Sequence, residues 1–156
     1  MRFVIISSVL NITTLLVPVF VYASDVNVPF IDEDSFVLTR GYNTPATHIN
    51  RERYALDFTQ GKCEAFRKNV IAVVDGEIIH INDSDRTAEA DGGFGLNILI
   101  ANADNVQSRY AHLDEVLVAE GDVKAGQVVG LIGNTGNVVG VSCEEHPGLH
   151  LHFAMY

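Results

Sequence analysis

The chain has 156 residues, 47% of them hydrophobic, with 10 Lys+Arg against 20 Asp+Glu and a formal charge of −10. That length supports one domain with a sizeable core. A surface this acidic repels nucleic acid and anionic polymers rather than gathering them, and no basic stripe or row of stacking aromatics argues otherwise.

Residues 1–23, MRFVIISSVLNITTLLVPVFVYA, join a positive start at Arg2 to an apolar stretch and end on Val21-Tyr22-Ala23. Small residues stand at the two positions a signal peptidase inspects, so an export signal cut after Ala23 is predicted. The alternative is an uncleaved anchor, because the stretch approaches membrane-spanning length. Membrane contact is expected only through this segment, if it stays uncleaved. Cleavage would leave 9 Lys+Arg against 20 Asp+Glu, a formal charge of −11. Export places the chain in the periplasm or outside the cell. There its two cysteines, Cys63 and Cys143, can pair, and closing so long a loop is worth about 4–5 kcal/mol on the chain-entropy model. Free or metal-binding thiols are the alternative.

Residues 24–40 form an acidic, irregular lead-in, with VNVPF as a short lead-in strand; residues 41–156 read as one domain. RGYNTPATHINRERYALDFTQG reads as a loop and then a strand, in which Tyr54, Leu56 and Phe58 alternate with Ala55 and Asp57. NVIAVVDGEIIHIND is two β-rich runs around Asp75-Gly76, a hairpin or turn signal. SDRTAEADGGFG is a polar, glycine-rich loop, and LNILIANADNVQSRYAHL gives two strands around an Asn-Ala-Asp-Asn turn. VLVAEGDVKAGQVVGLIGNTGNVVG breaks into short β-branched runs between glycines. It has no Gly-Lys-Ser/Thr and no helix start, so the glycines read as tight turns rather than a phosphate cradle. No stretch of residues 24–156 sustains helical periodicity over three turns. Many short strands with frequent turns predict an all-β sandwich or barrel.

The six histidines are His48, His80, His112, His146, His150 and His152. Leu149 to Phe153 reads as a strand, so His150 and His152 leave one face and Leu149, Leu151 and Phe153 the other. Taken alone, that pair fits an exposed strand face as well as a site. Asp57 faces away from Leu56 and Phe58, either into solvent or onto a partner such as a metal, and His48 can fold back beside it. His112 ends another strand.

Five pieces, HINRERYALDF, AVVDGEI, RYAHL, EGDVKAGQVVGLIGNTG and GLHLHF, in that order, resemble the lysostaphin/LytM-type zinc metallopeptidases, or murein endopeptidases. The similarity runs from about Pro29 to Phe153. It implies the fold of that family, a duplicated hybrid motif forming a barrel-like antiparallel β-sandwich. It implies that His48, Asp57 and His152 hold Zn2+, and that His112 and His150 are the two catalytic histidines flanking a zinc-held water. His80 and His146 match no position of the family. Two segments depart from the pattern: NVVGVSCEEHPG lengthens the link to the His-x-His strand, and GKCEAFRKNV replaces the step before AVVDGEI. Each carries a cysteine, and a bridge between them would tie two loops near one rim of the groove.

The resemblance implies metal-assisted hydrolysis of the peptide cross-links of bacterial peptidoglycan. Three ligands and one open position suit zinc hydrolysis. No His-Glu-x-x-His helix is present to supply a base, which leaves that work to histidine. Two other readings compete. One is a catalytically silent LytM-type module that binds or activates cell-wall hydrolases. The other is a swinging-arm carrier, since EGDVKAGQVVGLIG resembles half of a biotinyl/lipoyl domain. Lys124, however, sits in a turn before Ala-Gly-Gln rather than in a Met-Lys setting.

Overall fold

A computed structural model describes residues 27–31, 36–102, 105–140 and 143–156. The segment read as an export signal lies outside the described residues. Among the described residues, nine strands form one antiparallel sheet: β1 (Val37–Arg40), β2 (Leu56–Thr59), β3 (Asn69–Ile71), β4 (Gly76–Asn82), β5 (Leu96–Asn102), β6 (Gln107–Val116), β7 (Gly121–Val123), β8 (Val128–Ile132) and β9 (Leu151–Met155). Their order is β1-β2-β9-β6-β5-β4-β7, and β8 joins β6 off this path and pairs with β3. The protein is all-β, as its short alternating runs predict. The ladder is open and branched rather than a closed ring. Among the described residues, helical turns are confined to short 3-10 pieces such as Asn50–Tyr54, and no helix is long and apolar enough to cross a membrane.

β6 is the hub because its ten residues serve three partners. Ser108–Ala111 pair with β9, Gln107–Tyr110 and Leu113 with β5, and Leu113–Val116 with β8. Tyr110 and Leu113 are both fully buried in the core. A regular strand would send them to opposite faces, since they are three residues apart. A bulge resolves the conflict: Ile98 opposes Tyr110 while Leu96 opposes Leu113, so β6 spends one extra residue at Ala111–His112. His112 takes it up with φ at +59°, a left-handed conformation that few non-glycine residues adopt.

The core lies on one face, where Leu151 and Phe153 of β9 meet Tyr110, Ile98 and Ile100, with Leu149, Val70, Val73 and Ile132 closing over them. Full burial of each such side chain is worth about 1.5–3 kcal/mol. Tyr110 keeps its hydroxyl satisfied by accepting from the Val73 N–H at 2.9 Å.

Two local expectations change. The chain bends at Val73–Val74 and Gly76 already opens β4, so Asp75-Gly76 closes no hairpin; β3 pairs with β8, and β4 lies between β5 and β7. Residues 27–30 form no strand, although the Asn27 N–H bonds the Val73 carbonyl and the Ile71 N–H bonds the Pro29 carbonyl. Phe30 is buried there, stacked on Phe36 at 3.7 Å between centroids. β1, at the end of the lead-in segment, adds to the sheet through β2. Cys63 and Cys143 form a disulfide across 80 residues. Gly136, at φ +80°, shows why a glycine-rich turn is required: a Cβ there would lie 2.4 Å from the Gly93 carbonyl oxygen.

Candidate metal centre

On the face opposite the core, β2, β9 and β6 bring Asp57, His152 and Ala111 into line, since Asp57 pairs with His152 and His152 with Ala111. The β6 bulge turns His112 onto this same face. His150 precedes β9 and bridges Gly133, one strand position pair away from His152. His48 enters from the loop before the Asn50–Tyr54 turn, its main-chain N–H held by the Thr44 carbonyl. His48, Asp57, His112, His150 and His152 are all buried.

Asp57 Oδ1 is the point of convergence. It lies 3.1 Å from His48 Nε2, 3.0 Å from His152 Nδ1 and 3.6 Å from His150 Nε2. The other ring nitrogens fix the tautomers. His48 Nδ1 donates to the Gly41 carbonyl at 2.8 Å, and His150 Nδ1 to the Gly148 carbonyl at 2.6 Å. A carbonyl only accepts, so in the neutral rings the Nε2 lone pairs point toward the carboxylate. His152 is similar: its Nε2 faces Glu52 Oε2 at 3.1 Å, which draws the proton to that side and leaves Nδ1 for Asp57. Lone pairs aimed at a carboxylate oxygen repel it unless a cation stands among them. The ligand atoms of His48, Asp57 and His152 all lie within 4.8 Å of one another. Two imidazoles and a carboxylate are a donor set that suits zinc, so these residues fit the ion.

The electrostatics follow from burial and neighbours. Burial works to raise the Asp57 carboxyl, but the His152 hydrogen bond and the His150, His152 and His48 charges overcome it, giving a pKa of about 2. Burial drives the His112 imidazole well below its ordinary value, and the neighbouring His150 and His152 push the same way. Burial likewise lowers His150, against the pull of Asp57. His152 is raised despite its burial, because it bonds both Asp57 and Glu52. His112 Nδ1 donates to the Thr135 carbonyl at 2.8 Å, so its Nε2 carries the free lone pair. The rings of His112 and His150 are 4.7 Å apart between centroids. Two neutral imidazoles with available Nε2 atoms therefore stand beside the three-residue cluster.

The remaining two histidines lie elsewhere. His80 Nε2 faces Asp91 at 2.6 Å, and His146 stacks on Phe66 at 3.5 Å. Sequence reasoning missed Glu52, the carboxylate behind His152. Burial opposes its ionisation, but the hydrogen bonds from His152 and Tyr156 hold its pKa below the ordinary value. The Tyr156 hydroxyl donates to Glu52 Oε1 at 2.6 Å. The available signal was Asn-Arg-Glu-Arg-Tyr between His48 and Asp57, a turn long enough to lay one carboxylate under the site.

The sequence model of Peptidase family M23 matches residues 55–156, which takes in Asp57, His112, His150 and His152 and begins after His48. The chain belongs to peptidase family M23. Members of family M23 are zinc metallopeptidases. Among M23 relatives, the DD-carboxypeptidase/endopeptidase Mpg of Neisseria meningitidis is 39% identical over 62 residues, 40% of this chain and 13% of that protein. The murein hydrolase activator NlpD of Escherichia coli is 38% identical over 68 residues, 43% of this chain and 16% of NlpD. The matched stretch thus spans less than a fifth of either relative. The catalytic domain of the antimicrobial peptidase lysostaphin from Staphylococcus simulans superposes with a TM-score of 0.57 at 27% identity, covering 77% of this chain and 79% of that one.

Proposed function

We propose that this M23 chain is an exported zinc metalloendopeptidase that hydrolyses peptide cross-links of bacterial peptidoglycan. The observation that carries the reading is the convergence of His48, His152 and Asp57 on one point, with the Nε2 atoms of His112 and His150 beside it. His48 Nε2, an Asp57 oxygen and His152 Nδ1 would hold the ion. Zinc supplies Lewis-acid polarisation of a carbonyl and a lowered pKa for water. Gly41 and Gly148 hold His48 and His150 in the tautomers that present Nε2 to the site, and Thr135 does the same for His112. Of His112 and His150, one takes the proton of the attacking water, and the other steadies the developing oxyanion or returns a proton to the leaving amine. Both are neutral near pH 7 by the burial described, as a base must be.

Similarity to NlpD favours a second reading, a module that binds or activates cell-wall hydrolases without turnover. Retention of all five residues speaks for the enzyme. Incubating the purified protein with isolated peptidoglycan, with and without chelator, tests the reading. Chelator-sensitive release of fragments cut at a peptide bond, identified by mass spectrometry, is expected. A zinc-free, folded protein that releases none would favour the module.

A further inference from the structure

Arg40 stands where a substrate would meet a fixed positive charge. A bulge between Leu38 and Arg40 sets Arg40 opposite Asp57 across the β1–β2 ladder, so both side chains leave the sheet on the site face. Two cavities, of about 250 and 240 Å³, flank the cluster, and Arg40, Asp57, Val139 and His150 line both. Among the described residues, Arg40 is the one Lys or Arg lining either of them, in a chain whose net charge is −10. Its guanidinium is 3.8 Å from Asp57 Oδ2, beyond hydrogen-bonding distance, and the side chain is 31% exposed. That loose ion pair with Asp57 is its charge contact, and among the described residues no side-chain hydrogen bond from Arg40 is formed, which leaves its N–H donors available to a ligand in the groove. The two carboxylates lining the cavities, Asp57 and Glu52, are engaged by histidines on the other side.

We propose that Arg40 is a specificity-determining residue that receives a carboxylate of the peptide substrate, which makes this site selective for acidic peptides. A guanidinium fork matches a carboxylate with two parallel hydrogen bonds, and partial desolvation in a cavity strengthens them. The inference rests on the proposed peptidase reading, yet binding tests it apart from turnover. The carboxylate has two sources, the chain end of the peptide and an acidic side chain near the scissile bond.

The test uses the zinc-loaded protein and three synthetic forms of one stem-like peptide, Ala-Glu-Lys-Ala-Ala: the free acid, the C-terminal amide, and the Glu-to-Gln form. Binding is measured by calorimetry, and hydrolysis by chromatography. Wild-type protein should bind the free acid about tenfold more tightly than whichever neutralised form removes the contacted carboxylate. R40A should lose that preference, and R40K should keep part of it. Any effect on hydrolysis should fall on KM rather than kcat. Equal binding of all three forms by wild-type protein overturns the proposal. So does a preference that survives in R40A, or a loss of zinc in R40A, which would make Arg40 a support for Asp57. Should wild-type protein bind selectively but cut nothing, the peptidase reading fails and the carboxylate site stands.

Discussion

Glu52 and His152 are 100 residues apart in sequence and 3.1 Å apart in space, with the carboxylate Oε2 accepting the proton of Nε2. A carboxylate behind a ligand histidine fixes its tautomer and raises its basicity. Glu52→Ala should therefore weaken zinc binding about 10–100-fold with the fold intact. Glu52→Gln, which keeps the shape and one acceptor oxygen, should weaken it less. Competition with a chelating dye measures both; equal affinity in wild type and Glu52→Ala would show that Glu52 has no part in holding His152.

His152 and His112 separate binding from chemistry. His152→Ala removes a member of the converging set and should lose zinc and hydrolysis together. His112→Ala leaves that set whole, so metal content should stay at the wild-type level while hydrolysis falls about 10²–10⁴-fold. Metal analysis and fragment release on the same preparations check the pair. Normal hydrolysis by His112→Ala would remove it from the mechanism.

Acid should destabilise the chelator-treated protein in a way traceable to His112. Its folded-state pKa is well below the ordinary 6.5, chiefly through burial, and His150 is lowered too. Below pH 6.5 the unfolded chain therefore binds more protons at these positions than the folded one, and stability falls as pH falls. His152, with a raised pKa, has the opposite sign: its contribution is complete below 6.5 and fades as pH rises through its folded value. His112→Gln should flatten the acid-side loss. Urea midpoints at about pH 7.5 and 5.5 give the slope, and an unchanged slope would refute the assignment.

The Cys63–Cys143 bridge closes 80 residues of chain, a loop that spans β3 to β8. Replacing both cysteines by serine should cost about 4–5 kcal/mol on the chain-entropy model, less where native strain is relieved. Thermal unfolding of the double variant measures it. Cys143 is buried beside the core, so a small part of the loss will come from packing.

The sequence made some of this legible and hid the rest. Short alternating runs declared the strands, and period-two alternation put Asp57 and the His150–His152 pair on the faces where they lie. Pairing was less visible. Asp75-Gly76 carries a hairpin's residues, but the partners of β3 and β4 are set by long-range packing that no local signal encodes. Glu52 was hidden for a similar reason: a charged residue in an Arg-rich turn reads as solvent-facing until β9 is known to pass above it. The bulge at His112 was equally silent, because it is revealed only by Tyr110 and Leu113 being buried together.

That bulge lets the two duties of β6 be told apart. A point change at Ala111 or His112 alters one side chain. Loss of a single residue there would restore regular alternation, leaving Tyr110 and Leu113 two positions apart and both inside with the ladder to β8 kept, but removing the left-handed position that turns His112 onto the site face. The short run from Tyr110 to Leu113 therefore owes its extra residue to the site and not to the core.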